Sequence, residues 1–185
     1  MSISEPSRIQ QNIVLVGFMG SGKSTIARVL HQRLGYPLVE MDQVLEERAG
    51  KAISRIFEEE GEGVFRGMES AFLRELDDSA APSRIISTGG GVVGSAENRE
   101  LLRKLGYVVW LKVPAETVLE RTARTRHRPL LNTEDPEEQV RALMRKREPL
   151  YEEVAHLTLE TSGLSSNEVA TGILECARYH FTHSP

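Results

Sequence analysis

The stretch Ile13-Val-Leu-Val16-Gly17-Phe-Met-Gly20-Ser21-Gly22-Lys23-Ser24-Thr25 decides the fold. It opens on four apolar residues, passes through three glycines, and ends on Lys-Ser-Thr. Lys23–Leu34 follows, with Ile26, Val29, Leu30 and Leu34 at helical spacing. Gly17–Ser24 fits G-x(4)-G-K-[ST], and a strand before it with a helix after it is the context that pattern requires. Glycines let the backbone N–H groups come close to phosphates, and the helix N-terminus adds partial positive charge. Gly20, Ser21, Gly22, Lys23, Ser24 and Thr25 are thus the candidate nucleotide-phosphate residues. Lys23 would reach the β- and γ-phosphates, and the Ser24 hydroxyl would hold Mg²⁺. The competing reading is a glycine-rich turn with an exposed lysine.

Outward from this loop, four more β-type runs stand out: Pro37–Met41, Arg84–Ser87, Tyr107–Val113 and Leu157–Thr161. Helical patterns separate them: Phe65 to Asp77, Asn98–Leu105, Ala115–Thr122, Pro136–Tyr151 with an interruption or end near Pro149, and a terminal helix striped by Val169, Ile173 and Cys176. Alternating strands and helices give an α/β fold with a parallel sheet covered on both faces. Ile13–Val16 and Val108–Leu111 are apolar throughout, as strands buried on both faces are.

The chain has 185 residues, 20.7 kDa and a net charge of −4, with 39% hydrophobic and 27% charged residues. That suits a single domain over residues 13–185 behind a polar, flexible tail at 1–12. The acidic balance speaks against a general nucleic-acid binder. No apolar run is long enough to span a bilayer, and no apolar signal core is present at the start, so a cytoplasmic location is expected. One cysteine excludes an intrachain disulfide and a cysteine-built metal site. Trp110 and Cys176 are expected in the core. His31, His127 and His156 lack metal-ligand spacing.

A phosphate loop announces a nucleotide but not its partner. In open α/β sheets, ligands sit beyond the carboxyl ends of the strands. The second run ends in Glu40-Met41-Asp42, two carboxylates two residues apart. One could face Mg²⁺ and the other an acceptor hydroxyl, or Asp42 could simply cap a helix starting at Gln43. The third run ends in Gly89-Gly90-Gly91, which would bring backbone N–H donors to a ligand or would merely make a flexible turn. Arginines crowd the second half, and Arg128 lies between helices in Thr125-Arg-His-Arg128-Pro-Leu-Leu131-Asn132. An arginine on a mobile lid closing over phosphates neutralises charge in phosphoryl transfer.

Together these motifs resemble the shikimate kinases, small P-loop kinases of aromatic amino-acid biosynthesis. The likeness spans about residues 12–180. It rests on Gly17–Thr25, Met41-Asp42, Phe65-Arg66…Glu69, Gly89–Gly91, Arg128-Pro-Leu-Leu131 and Arg147-Glu-Pro-Leu-Tyr151. It implies a three-layer fold with a five-stranded parallel sheet in the order 2-3-1-4-5 and a mobile lid. It implies transfer of a phosphoryl group from ATP, with Mg²⁺, to the 3-hydroxyl of shikimate, by a monomer that needs neither nucleic acid nor membrane. By the same resemblance, Asp42 would bind shikimate hydroxyls and serve as base. Arg66 and Arg147 would grip the carboxylate, Gly89, Gly90 and Gly91 would line the acceptor, and Glu69 would orient the arginines. Arg128 and Arg121 would attend the nucleotide. Two features depart from the family pattern. Glu40 stands where Asp is usual, bearing on a water-mediated Mg²⁺ role, and the adenine-side loop Glu160–Asn167 lacks the usual proline and basic residue. The alternatives are another small-molecule P-loop kinase, for gluconate or a nucleoside monophosphate, and a kinase-like binding module without turnover.

Overall fold

A computed structural model describes residues 11–79, 83–122 and 135–183. Five strands, β1 (Asn12–Val16), β2 (Leu38–Glu40), β3 (Ile85–Ser87), β4 (Gly106–Lys112) and β5 (Leu157–Glu160), form one parallel sheet in the order β2-β3-β1-β4-β5. Among the described residues eight α-helices accompany them: α1 (Lys23–Leu34), α2 (Met41–Ala49), α3 (Ile53–Glu59), α4 (Glu62–Asp78), α5 (Ala96–Leu105), α6 (Ala115–Thr122), α7 (Pro136–Val154) and α8 (Ser166–His183).

The central strand shows why the layers form. Val14 and Val16 join a core with residues of α2–α5 and α7, whereas Ile13 and Leu15 join one with α1 and α8. Successive side chains of a strand point to opposite faces, so four consecutive apolar residues feed two layers of helices. A third cluster, Phe18, Met19, Val113, Val118, Val140 and Met144, packs α6 and α7 beside the phosphate loop.

Several elements differ from the sequence reading. Asn12, assigned above to the tail, is the first residue of β1, and its side chain bridges two neighbours: Nδ2 donates to the Leu105 carbonyl and Oδ1 accepts from the Arg84 N–H. α7 runs through Pro149 to Val154. Proline removes one helical hydrogen bond, but Tyr151 and Val154 beyond it are buried in the core, and that burial keeps the helix going. Asp135 caps α7 by accepting from the Glu138 N–H at 3.0 Å, with Pro136 in the first turn. Cys176 is exposed, not core. The buried stripe of α8 is Val169, Ala170, Ile173, Leu174 and Ala177, and position 176 falls to one side of it. Trp110 is buried as expected.

Candidate active site

The phosphate loop leaves the carboxyl end of β1 and is shaped by glycine. Gly20 and Gly22 have φ of 73° and 93°, left-handed values that residues with a Cβ rarely adopt, and Gly22 leads directly into α1. Lys23 is 9% exposed; its ammonium donates to the carbonyls of Gly17 at 2.8 Å and Phe18 at 3.0 Å. The Ser21 hydroxyl is buried without a hydrogen-bond partner among the described residues. Arg121, at the end of α6, reaches across and donates to the Gly20 carbonyl at 2.8 Å. A cleft formed by Gly20, Ser21, Thr25, Arg121, Thr161 and Leu164 continues from there towards the loop after β5.

A second cleft, of about 260 Å³, lies between the loop and the carboxyl ends of β2 and β3. Ser24, Glu40, Asp42 and Thr88 line it with Lys23. Hydroxyl and carboxylate oxygens are the donors that Mg²⁺ takes, so these residues fit that ion. Glu40 is already engaged, by an ion pair with Arg28 of α1 at 2.9 Å. α2 starts at Met41, not Gln43, and its N-cap is Glu40, which makes no capping bond. Asp42 therefore sits inside the first turn rather than capping the helix. A carboxylate there is favoured by the helix dipole, while its side chain is exposed to the cleft.

The triple glycine follows β3, and its glycines serve space more than conformation. None of the three has a left-handed φ. A Cβ on Gly89 would come within 2.8 Å of Asp42 Oδ1 and of Glu69 Oε1. One on Gly90 would press on the Met19 N–H at 3.1 Å, in the phosphate loop. One on Gly91 would overlap the Arg66 guanidinium. Thr88, just before them, ties this turn to β1 by donating from both its N–H and its hydroxyl to the Leu15 carbonyl.

Arg66 and Arg147, 81 positions apart in sequence, meet at this turn. Arg66 stands against Gly91, and Arg147 Nη1 donates to the Gly90 carbonyl at 3.4 Å. Arg66 pairs with Glu69 at 2.6 Å and Glu62 at 2.8 Å, and its guanidinium is near the rings of Phe57 and Phe65. Burial alone would lower its pKa, but the two glutamates outweigh that and raise it. Arg147 is 9% exposed, with its guanidinium 5.6 Å from the centre of the Phe18 ring. Glu69 is wholly buried, and its Oε1 has no hydrogen-bond partner among the described residues. Burial pushes its carboxyl up; Arg66 and Arg147 pull the other way, and Asp42 adds to the rise.

Lys23, Asp42 and Gly90 thus line the second cleft and Arg121 the first, at the carboxyl ends of β1, β2 and β3, while Arg66, the buried Glu69 and Arg147 pack against Gly89–Gly91. Arg128 and the lid segment lie outside the described residues. The sequence reading gave no role to Phe18, Glu62 or Tyr151. Tyr151 lies four residues beyond Arg147, on the same helical face, a signal already present in the spacing. Among the described residues no cluster of three or more His, Cys, Asp or Glu could hold a metal by itself, and no helix is long and apolar enough to cross a membrane.

Comparison with known proteins agrees with this geometry. The shikimate kinase family model matches residues 19–178. The shikimate kinase of Actinobacillus pleuropneumoniae is 47% identical over 166 residues, covering 90% of this chain and 95% of that protein. The shikimate kinase of Thioalkalivibrio sulfidiphilus is 47% identical over 169 residues, covering 91% and 86%. A structure of the shikimate kinase from Acinetobacter baumannii in complex with shikimate superposes with a TM-score of 0.86 at 43% identity, over 91% of this chain and 93% of that one. A gluconokinase from Sinorhizobium meliloti, at 18% identity and a TM-score of 0.60, shares the fold alone. By motif, sheet order and relatives alike, the chain belongs to the shikimate kinase family.

Proposed function

We propose the following division of labour for the transfer of the γ-phosphoryl group of ATP to the 3-hydroxyl of shikimate. The observation that carries it is the meeting of Arg66 and Arg147 at Gly90–Gly91, beside Asp42 and across from the phosphate loop. A monocarboxylate with several hydroxyls needs such a set. Guanidinium groups match a carboxylate with paired hydrogen bonds, and a carboxylate accepts from vicinal hydroxyls.

On this reading the loop N–H groups and Lys23 hold the β- and γ-phosphates. Lys23 gives up its bonds to the Gly17 and Phe18 carbonyls to do so. Arg121 borders the adenosine side, and the charge of Arg128 would help to neutralise the phosphates. Arg66 and Arg147 take the shikimate carboxylate, Glu69 orients Arg66, and the N–H groups of Gly89–Gly91 face the acceptor. Asp42 accepts the proton of the 3-hydroxyl as its oxygen bonds to the γ-phosphorus. The bond from that phosphorus to the β-phosphate oxygen breaks, and ADP leaves. Mg²⁺, when bound, supplies charge neutralisation on the phosphates; the Ser24 hydroxyl would hold it, with Glu40 acting through water. Little covalent work falls to the protein, so positioning and charge stabilisation supply the rate. A monomer in the cytoplasm completes the reading; the lone, exposed Cys176 suits a reducing compartment.

A coupled ADP-release assay with shikimate, gluconate, AMP and CMP as acceptors tests this. Turnover should appear with shikimate alone. Asp42→Asn should lower kcat by about 10²-fold or more while leaving ATP binding nearly intact. Preference for gluconate or a nucleotide would overturn the acceptor assignment. Full shikimate turnover in the Asn variant would remove Asp42 from the chemistry.

A further inference from the structure

Two donors one helical turn apart converge on one carbonyl. Arg147 Nη1 and the Tyr151 hydroxyl both donate to the Gly90 oxygen, the arginine at a long 3.4 Å and the tyrosine at close range. A carbonyl oxygen has two lone pairs and can serve both. The arginine bond lies at the outer limit of hydrogen-bond geometry and is cheap to break. The tyrosine is differently placed. It is 1% exposed, and its ring stacks on Trp110 with 5.7 Å between centroids. Burial pushes its hydroxyl well above the ordinary phenol value, so it remains a donor throughout the working pH range.

On the other side of the same peptide unit, the Arg66 guanidinium fills the space where a Gly91 side chain would begin. The Gly90–Gly91 peptide therefore lies between the two arginines assigned to the acceptor's carboxylate. A trans peptide is planar, so anchoring its carbonyl also fixes the opposed N–H. Two flanking glycines leave that plane otherwise free to turn.

We propose that Tyr151 is a positioning residue of the acceptor site, whose hydroxyl holds the Gly90–Gly91 peptide when Arg147 leaves the Gly90 carbonyl for the acceptor's carboxylate. The inference rests on the acceptor reading above. With phenylalanine at 151, release of Arg147 would strip the carbonyl of its remaining donor. Arg147 would then be held back, and the Gly91 N–H would lose its fixed direction. The penalty falls on acceptor binding and not on the nucleotide.

Tyr151→Phe keeps the ring and its stack on Trp110, so the fold should survive. The KM for shikimate should rise about five- to tenfold, the scale of one hydrogen bond, with the KM for ATP and the thermal midpoint little changed. In an Arg147→Lys background the same change should cost much less, because no fork remains to be released. An unchanged shikimate KM, or penalties that simply add, would overturn the proposal. A second measurement needs no acceptor. In the ligand-free protein, the ¹⁵N–¹H resonance of Gly91 should shift or broaden in Tyr151→Phe. If it does not move, the anchoring role is wrong whatever the acceptor. If wild type fails to phosphorylate shikimate while the resonance does move, the acceptor reading falls and the anchoring stands.

Discussion

Arg66 and Glu69 meet at 2.6 Å on α4, and the glutamate is sealed from solvent while its second oxygen faces Gly89 without a hydrogen-bond partner among the described residues. A buried ion pair of this kind is weak evidence for stability, since desolvation offsets much of the attraction. Here it leaves Arg66 fixed in direction beside the acceptor cleft.

The state of Glu69 gives a pH dependence. Its carboxyl titrates above the ordinary 4.5, so on acidification it takes up a proton before an exposed glutamate would. The neutral form no longer balances Arg66. The KM for shikimate should therefore rise as pH falls from neutrality, and Glu69→Gln should show the raised KM already at neutral pH, without that inflection. Shikimate's own carboxylate titrates identically in both assays, so the difference isolates Glu69. Parallel profiles would show that Glu69 does not set Arg66. Stability runs the opposite way, rising on acidification. The buried site favours the neutral acid, so its contribution is present below the unfolded-state pKa and is lost as pH rises through the higher folded-state one.

Arg147 should read the carboxylate by shape as well as charge. Truncating one partner of a desolvated charged pair costs about 2–5 kcal/mol. Lysine keeps the charge but not the planar fork, so Arg147→Lys should raise the shikimate KM on the order of tenfold and spare that of ATP. Replacing the shikimate carboxylate by a primary amide should make a poor substrate for wild type. The lysine variant should weaken the amide less than it weakens shikimate. Equal penalties would show that Arg147 does not contact the carboxylate.

Gly91→Ala provides a steric test. The φ of Gly91 is −100°, open to alanine, and the clash is with the end of the Arg66 side chain and not with backbone. The variant should fold with a near-normal thermal midpoint while Arg66 is pushed aside. The shikimate KM should rise about tenfold, a charged hydrogen bond's worth. Gly94→Ala, which meets nothing within 4 Å, is the control. Matching kinetics in the two variants would place Arg66 outside the acceptor site.

Far from the cleft, His156 should give an acid step in stability. The Val108 N–H donates to its Nδ1 at 3.1 Å, and the His156 N–H donates back to the Val108 carbonyl at 2.8 Å. Nδ1 can accept only when it carries no proton. Burial lowers its pKa from 6.5, with the nearby charges of His180 and Arg103 acting the same way. This stabilisation is fully present above 6.5 and is lost as pH falls through the lower folded-state value. The thermal midpoint should drop across that window, and His156→Gln should flatten the drop. An unchanged profile in the glutamine variant would refute the coupling.

Much of this was legible because burial leaves a period in sequence. β1 and β4 are apolar at nearly every position since both their faces are covered. α1 and α6 begin and end where the pattern does. α3 was not legible, and α2 only as an alternative, a helix starting two residues late at Gln43. α2 follows β2 without a linker or a capping side chain and buries only Met41 and Leu45; α3 has seven residues and buries Ile56. Such short, mostly polar helices are held by their neighbours and carry too few apolar positions to show a period. Glu69 could have been found by period alone. It falls on the buried stripe of Phe65, Phe72, Leu73 and Leu76, and a charge on such a face is there for a partner. The meaning of Gly89–Gly91 needed the fold, because what each glycine makes room for comes from α2, α4 or the phosphate loop.

Gly90 lies against Met19 of the phosphate loop on one side and carries the carbonyl shared by Arg147 and Tyr151 on the other. Anyone seeking to retarget the enzyme to a different acceptor meets a seam there. Arg66 projects from a helix and could be exchanged with the nucleotide half left alone, whereas Arg147 already leans on Phe18 of the phosphate loop. Position 90 offers no such freedom. A side chain added to suit a new acceptor would press on the loop that cradles the phosphates, trading selectivity against turnover in a single step. Directed libraries built on this scaffold should therefore diversify α4 and hold the three glycines constant.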